Sequence, residues 1–210
     1  MEEIFIYGAS GHGKVVIDVI ERQGLYSIAF LVDDDPALKG KEFFGYPVVG
    51  GMNDLLESRS SVVGGIVSIG SNAARMKVAK KLAETGFRLI SAVHPAAQLG
   101  RGVTVGDGTV IMAGVVVNAD ARIGSNAVLN TRASIDHDCV IGDGAHIAPG
   151  ATLCGTVRVG AESFVCAGAT IIPNLAIGAR SIIGAGSTVI GDVPDAATVV
   201  GSPAKIIRQF

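Results

Sequence analysis

An aliphatic residue recurs at every sixth position in the second half of the chain, and this repeat constrains the fold more than any other feature. From Leu99 to Val189 all sixteen positions of the series are Leu, Ile or Val, and a small residue follows four positions later in nearly every repeat. An α-helix needs a period of about 3.6 residues and an amphipathic strand a period of about 2. Six residues instead suit a short strand and a tight corner, repeated so that one core runs along the axis.

The first half of the chain is organised differently. An apolar run at residues 4–7 precedes the glycine-rich segment GASGHGK, and a helical pattern follows. The runs IAFLV and GGIVSIG predict two more strands, SNAARMKVAKKLAETG a helix capped by Asn72 and ended by Gly86, and RLISAVH a fourth strand. Alternating strands and helices predict a small Rossmann-like α/β domain over residues 1–92, so the repeat forms a second domain over 93–210.

Charge and hydropathy exclude several classes of partner. Seventeen basic and nineteen acidic residues give a net charge of -2, without the long basic block that grips a phosphate backbone. The start, MEEIFIYGAS, is acidic where a signal peptide is basic, and no apolar stretch reaches the roughly 18 residues that span a bilayer. We therefore expect a cytoplasmic protein that binds neither nucleic acid nor a membrane.

The glycine-rich segment predicts an anion-binding turn. Gly8, Gly11 and Gly13 have the spacing G-x-x-G-x-G rather than that of the dinucleotide fingerprint, but both patterns direct helix N-terminal amides toward an anion. Asp33 and Asp34 end the second predicted strand, where a carboxylate can accept hydrogen bonds from a ribose or a base edge. A nucleotide or diphosphate is the expected ligand, and a nicotinamide cofactor or a purely structural turn is the alternative.

His137 interrupts the repeat between two carboxylates, Asp136 and Asp138. A flanking carboxylate raises the basicity of an imidazole and fixes its tautomer. His137 is therefore a candidate general base, and the alternative is a solvated turn histidine without a chemical role.

These motifs together resemble one family. The repeat is similar to the left-handed parallel β-helix of the hexapeptide-repeat acyltransferases. YGASGHG, LVDDD, SIGSN, NTRASIDHDCVIGDGAHIAPGA and the tail GSPAKIIRQF resemble the bacterial sugar acetyltransferases that include UDP-4-amino-sugar N-acetyltransferases, GDP-perosamine N-acetyltransferase and sialic acid O-acetyltransferases. The resemblance implies three repeats per coil, a homotrimer with active sites between subunits, and acetyl-CoA as co-substrate without a metal.

The resemblance also implies roles for individual residues. His137 matches the general base, and Asp138, where many relatives have glutamate, matches the residue that supports its basicity. His146 lies half a coil further on, so we expect it to meet the acetyl group in a site shared with a neighbouring subunit's His137. The donor is expected along Gly155, Ala167 and Ala185, with Lys205 and Arg208 reaching its phosphates, and the acceptor at Ser10, Gly11, His12, Asp33, Asp34 and Gly70.

The sequence therefore predicts an N-acetyltransferase that acts on the 4-amino group of a nucleotide-linked amino sugar in bacterial glycan biosynthesis. The acceptor nitrogen would attack the thioester directly, and backbone amides near Gly155 or Ala167 would hold the oxyanion. O-acetylation of a sialic acid or related sugar is the nearest alternative. A zinc carbonic anhydrase, which needs three converging histidines, and a non-catalytic scaffold are more distant ones. The choice between uracil and guanine, the stereochemistry of the sugar and the glycan pathway are left open.

Overall fold

The computed structural model describes residues 1–209, which form two compact units divided between Pro95 and Ala96. Phe210, the last residue of the predicted second domain, lies outside the described residues. No helix within the described residues combines the length and apolarity needed to cross a bilayer. In chain order the first unit contains β1 (Glu2–Tyr7), α1 (Gly11–Gln23), β2 (Tyr26–Val32), β3 (Glu42–Phe43), β4 (Tyr46–Pro47), α2 (Met52–Glu57), a 3-10 turn (Arg59–Ser61), β5 (Gly64–Val67), α3 (Asn72–Glu84), β6 (Arg88–Leu89) and β7 (Ala92–Val93).

The first unit is built on a parallel sheet of four strands in the order β2-β1-β5-β6. The chain leaves β1 for β2 on one side and later returns to β5 on the other, so the strand order reverses at β1. Ligands of open α/β sheets bind at the carboxyl ends of the strands beside such a switch point. The turns after β1, β2 and β5 are therefore where the fold favours a ligand.

Two local predictions in this unit need correction. RLISAVH is not one strand, because it divides at residues 90–91 into β6 and β7. The cap of α3 is Ser71, whose hydroxyl accepts a hydrogen bond from the Ala74 amide at 3.4 Å, rather than Asn72. The six-residue α2 and the β3–β4 hairpin had no counterpart in the sequence reading, since segments this short carry no measurable period.

The second unit is a parallel β-helix with three faces. Its hydrogen-bonded strands stack in one six-stranded sheet, one five-stranded sheet and a third sheet that ends in the C-terminal hairpin. The strands are β8 (Gln98–Leu99), β9 (Thr104–Val105), β10 (Val110–Ile111), β11 (Val116–Val117), β12 (Arg122–Ile123), β13 (Val128–Leu129), β14 (Ser134–Ile135), β15 (Val140–Ile141), β16 (His146–Ile147), β17 (Thr152–Leu153), β18 (Arg158–Val159), β19 (Phe164–Val165), β20 (Thr170–Ile171), β21 (Ala176–Ile177), β22 (Ile182–Ile183), β23 (Thr188–Val189), β24 (Ala197–Gly201) and β25 (Ala204–Gln209). Every third strand belongs to the same face. We call face 1 the row β10, β13, β16, β19, β22; face 2 the row β8, β11, β14, β17, β20, β23; and face 3 the row β9, β12, β15, β18, β21.

Residues eighteen positions apart lie on one another in successive coils. Val128 pairs with His146, His146 with Phe164, and Phe164 with Ile182. The last coil is shorter, because Ile182 pairs with Thr198. Beyond it, β25 folds back antiparallel on β24, so the tail is a strand rather than a free segment.

The repeated aliphatic residues form the predicted continuous core. From Ile111 to Val189 each is at most 4% exposed. Full burial of such a side chain stabilises a fold by about 1.5–3 kcal/mol. Leu99 departs from the pattern at 41% exposure, because its strand β8 pairs only with β11 and begins the stack of face 2.

The corners of the β-helix use a left-handed backbone conformation at the third position after the aliphatic residue. Gly144 and Gly150 take it with φ of 64° and 66°, and Asp138 takes it with φ of 58°. Glycine adopts this conformation without strain, and aspartate and asparagine are the side chains that tolerate it best. Asp138 is therefore a residue suited to a corner as well as a neighbour of His137.

Several of the small residues inside the coils bridge to the next coil. The hydroxyl of Ser163 donates to the Gly178 carbonyl at 2.6 Å and accepts from the Ser181 amide at 3.0 Å. The thiol of Cys139 donates in the same way to the Cys154 carbonyl at 3.2 Å. These side chains satisfy backbone groups where the corners interrupt the ladder.

Candidate active site

His137 lies at the corner between faces 2 and 3, where it is held by its own neighbours. Its Nδ1 is 2.8 Å from Asp138 Oδ2, and its side chain is 57% exposed. When Nδ1 donates to the carboxylate, Nε2 carries the lone pair and is able to accept a proton. The short Asp138 reaches the ring from a left-handed backbone position with φ of 58°.

Asp136 holds the other side of His137. Its Oδ1 accepts from the His137 backbone amide at 2.8 Å and from Asn118 Nδ2, one coil below, at 2.8 Å. The bond from Asn118 and then that from His137 hold the pKa of the Asp136 carboxyl below its usual range. The hydrogen bond to Asp138, followed by the charge of Asp136, raises the pKa of the His137 imidazole. Asn118 was not among the predicted residues.

Gly155 lies one coil above His137 and leaves room for its ring. A Cβ at this position would come within 2.7 Å of both Cε1 and Nε2 of His137. A side chain at position 155 would therefore displace the His137 ring, and the Gly155 backbone lies beside the edge of the imidazole that carries Nε2.

A groove of about 530 Å³ runs along face 3 beside this corner. Asp138 borders it, and the exposed Arg122 and Arg158 point outward from strands two coils apart. Asp120, at the corner below, completes the charged groups around it. Asp138, the neighbour of His137, thus borders a groove that carries charges of both signs.

His146 occupies a different place, on face 1. It is 6% exposed, its ring packs edge-on against Phe164 with centroids 4.6 Å apart, and its Nε2 lies 3.1 Å from Asn130 Nδ2. An amide nitrogen donates, so Nε2 accepts and Nδ1 carries the proton. Asn130, which the sequence reading did not single out, therefore fixes the tautomer of His146.

The residues predicted for the donor separate into two groups. Gly155 lies at the corner of faces 2 and 3 with His137, whereas the exposed Ala167 and Ala185 stack at the corner of faces 1 and 2, beyond the strand row of His146. Lys205 and Arg208 are exposed on β25 at the C-terminal end. The residues predicted for the donor thus lie on different sides of the prism.

The first unit contains a separate pocket of about 300 Å³ at the switch point of its sheet. Four of the six predicted acceptor residues line it: Ser10, Asp33, Asp34 and Gly70. Gly11 and His12 follow in the first turn of α1, because that helix begins at Gly11 instead of after the glycine segment. The structure therefore brings the predicted acceptor residues to one end of one sheet.

The glycines around this pocket differ in what requires them. A Cβ on Gly13 would lie 2.6 Å from the Gly8 carbonyl, and Gly8 has φ of 118°, so the fold itself needs both. Gly11 and Gly70 have open space around them and an ordinary backbone conformation. The fold itself therefore does not require glycine at these two positions.

The two aspartates of the pocket accept hydrogen bonds from different partners. Asp33 accepts from the Ala9 amide at 2.7 Å and from the Asp35 amide at 2.9 Å, and so ties the turn after β1 to the turn after β2. Asp34 accepts from the Tyr7 hydroxyl at 2.7 Å. Burial, together with the bond to Asp34, raises the pKa of Tyr7 strongly, so the phenol stays protonated. Tyr7 lines the pocket and was missed in the sequence because it is the last residue of an apolar run.

His12 contributes no positive charge near neutral pH. Burial, and then the charge of Arg75, lowers the pKa of His12 to about 4. Arg75 itself is 1% exposed and donates to the Ile69 carbonyl at 3.0 Å and to Asn72 Oδ1 at 2.9 Å, which fixes the loop that borders the pocket.

Family models match both units. Residues 3–82 match the PglD N-terminal domain, and residues 120–155 match the bacterial transferase hexapeptide (six repeats). UDP-N-acetylbacillosamine N-acetyltransferase of Bacillus subtilis (strain 168) is 38% identical over 115 residues, a match that covers 54% of this chain and 52% of the Bacillus protein. The chain thus spans about half the length of this curated relative.

Solved structures match almost the whole chain. A perosamine N-acetyltransferase from Caulobacter crescentus, solved with CoA and GDP-perosamine, is 40% identical with a TM-score of 0.93 over 98% of this chain and 97% of that one. The acetyltransferase domain of PglB from Neisseria gonorrhoeae FA1090, solved with acetyl coenzyme A, is 34% identical with a TM-score of 0.88 over 98% and 99%. Both likenesses cover the two units together.

Proposed function

The chain belongs to the nucleotide-amino-sugar N-acetyltransferases in which a PglD N-terminal domain precedes hexapeptide repeats, and from this membership we propose that it acetylates the 4-amino group of a nucleotide-linked sugar. Acetyl-CoA is the donor. The observation that carries the proposal is the exposed His137, bonded to Asp138 at 2.8 Å and lying against Gly155, in a chain 40% identical to a perosamine N-acetyltransferase.

His137 acts as the general base in this proposal. A sugar ammonium gives a proton to Nε2, and the freed amine nitrogen forms a bond to the thioester carbonyl carbon. The carbon–sulfur bond then breaks to release the CoA thiolate, which takes up the second proton that the nitrogen loses as the amide forms. A base whose pKa lies near the working pH serves this best, and Asp138 and Asp136 move the pKa of His137 upward. Backbone amides around Gly155 stabilise the developing oxyanion.

The active site in this proposal is shared between subunits of a trimer. His137 with Gly155, and His146 with Ala167 and Ala185, lie on different sides of one prism, so a single donor molecule meets both groups only where two subunits adjoin. In a mixture of His137→Asn and His146→Ala subunits, every mixed trimer then contains one site with both wild-type histidines. Recovery of activity on mixing supports a shared site, and its absence in trimers proven to be mixed contradicts one.

The acceptor's nucleotide binds in the pocket of the first unit. The amides at the start of α1 suit its phosphates, and the Asp34 carboxylate, positioned by Tyr7, suits a base or ribose hydrogen-bond donor. Relatives with this domain were solved with GDP-perosamine or named for a UDP-linked sugar, which supports a nucleotide-linked acceptor over a free sialic acid.

Thiol release from acetyl-CoA across UDP- and GDP-linked 4-amino sugars and free sialic acid tests the function. We expect turnover with at least one nucleotide sugar, and a loss of roughly 10²-fold or more in kcat for His137→Asn. His94→Asn, which changes a histidine of the other unit, is the matched control. Turnover with sialic acid alone identifies the O-acetyltransferase instead, and an unchanged His137→Asn rate rejects His137 as the base.

A further inference from the structure

Asn118 lies one coil below Asp136 and donates to the same carboxylate oxygen that accepts from the His137 backbone amide. Oδ1 of Asp136 accepts from Asn118 Nδ2 and from the His137 amide, each at 2.8 Å. The Asn118 backbone is itself fixed, because its amide donates to the Ile135 carbonyl at 2.9 Å. Two donors from successive coils therefore hold one carboxylate in one orientation.

The two carboxylates beside His137 act in different ways. Asp138 binds the ring directly through Nδ1, whereas Asp136 influences the ring through its charge and through the backbone bond. The bond from Asp136 to His137 is to the backbone amide, so the effect of Asp136 on the ring depends on where its carboxylate is kept. The strongest single influence that keeps it ionised is the bond from Asn118.

We propose that Asn118 is a positioning residue for the acetyl transfer. Asn118 fixes the Asp136 carboxylate next to His137 and thereby sets the basicity and orientation of the imidazole. This inference rests on the proposed function only for its kinetic part. The electrostatic part concerns the free protein, where the groove beside this corner also carries Asp120 on the coil below, and Arg122 and Arg158 along face 3.

The chain suits a direct titration, because it contains four histidines. NMR of the imidazole protons in the full-length protein, assigned with His137→Asn, follows the His137 pKa without any substrate. In Asn118→Ala the Asp136 carboxylate is free to turn away, so the pKa of His137 falls. Asn53→Ala, an exposed asparagine on α2, is the matched control and leaves it unchanged.

A double-mutant cycle separates this role from a general loss of packing. If Asn118 acts through Asp136, then Asn118→Ala lowers the His137 pKa in the wild-type chain but has no further effect in Asp136→Asn. Equal effects in both backgrounds overturn the proposal, as does an unchanged His137 titration in Asn118→Ala. Thermal unfolding of all four proteins identifies a variant that merely fails to fold.

Kinetics with an accepted sugar give the second readout. We expect kcat of Asn118→Ala to fall roughly tenfold, a fraction of what a general base contributes, with the KM for acetyl-CoA unchanged. The acidic limb of the pH–rate profile moves to lower pH, because a less basic His137 is already deprotonated at a lower pH. A rise in KM alone contradicts a positioning role. The NMR result stands even where no acceptor is turned over, so failure of this inference and failure of the proposed function are distinguishable.

Discussion

Replacing Gly155 by alanine tests the active-site geometry with a single methyl group. The new Cβ would lie 2.7 Å from both Cε1 and Nε2 of His137, whereas carbon atoms in contact stay about 3.5 Å apart or more. The ring must therefore retreat by roughly 1 Å or rotate away from Asp138, and a displacement of that size at a catalytic group costs on the order of 10²-fold in rate. That factor corresponds to about 2.7 kcal/mol of transition-state stabilisation.

The stability of Gly155→Ala should change little. Gly155 has no left-handed backbone conformation to lose, and a Gly-to-Ala change at such a position alters stability by about 0.4–1 kcal/mol, usually favourably. The exposed His137 ring can also swing toward solvent instead of straining the core. We therefore expect Gly155→Ala to fold and to unfold at the wild-type temperature, while the displaced His137 ring accepts a proton less well.

Two assays measure the outcome for Gly155→Ala. The first is kcat for acetyl transfer, and the second is NMR titration of His137, whose pKa falls once the ring loses its bond to Asp138. Gly191→Ala is the matched control, because Gly191 belongs to the same unit, has open space around it and an ordinary conformation. If kcat and the His137 titration of Gly155→Ala both match those of Gly191→Ala, the steric reasoning is wrong.

Three further predictions concern charge and buried polar groups. In Asp138→Asn the pKa of His137 falls, because the hydrogen bond that raises it is weakened. The acidic limb of kcat/KM therefore moves to lower pH and the plateau rate drops, and a pH–rate profile measures both changes. Ser163→Ala leaves two backbone groups between coils without their partner, and we expect a loss of about 1–3 kcal/mol in urea unfolding. Arg75→Met removes charged hydrogen bonds worth about 1.5–3 kcal/mol and one cause of the low pKa of His12, so NMR should find that pKa raised and thermal unfolding a lower midpoint.

The period of six predicted the β-helix because each repeat buries the same kind of residue in the same place. Its aliphatic series is readable without any tertiary information, and the burial from Ile111 to Val189 confirms it. Ends of the stack obey different rules. Leu99 carries the same signal as its equivalents but lacks a coil on one side, a fact that the local pattern does not contain.

Only some of the candidate active-site residues could be predicted from the sequence, because the others act through partners that lie one coil away. His137 stood out by its two flanking carboxylates, which are adjacent in sequence. Asn118 lies eighteen residues before Asp136 and becomes visible only when the chain is aligned with itself by coil. Tyr7 and Arg75 were hidden for another reason, because each lies in a regular element. The polar role of Tyr7 appears only through its bond to Asp34 after the next strand, and that of Arg75 through its bonds to the loop before its own helix.

The coil of eighteen residues also limits how the gene for such a protein can change in length. A one-residue insertion between Asn118 and Asp136 would move every later side chain out of step with the coil below, and a six-residue insertion would carry His137 to another side of the prism. The addition or loss of a whole coil keeps all three faces in register along the stack. The described chain shortens its coil only after Ile182, on the far side of the residues around His137. Changes of length are therefore expected to be tolerated near the C-terminal hairpin and selected against between Asn118 and Thr156.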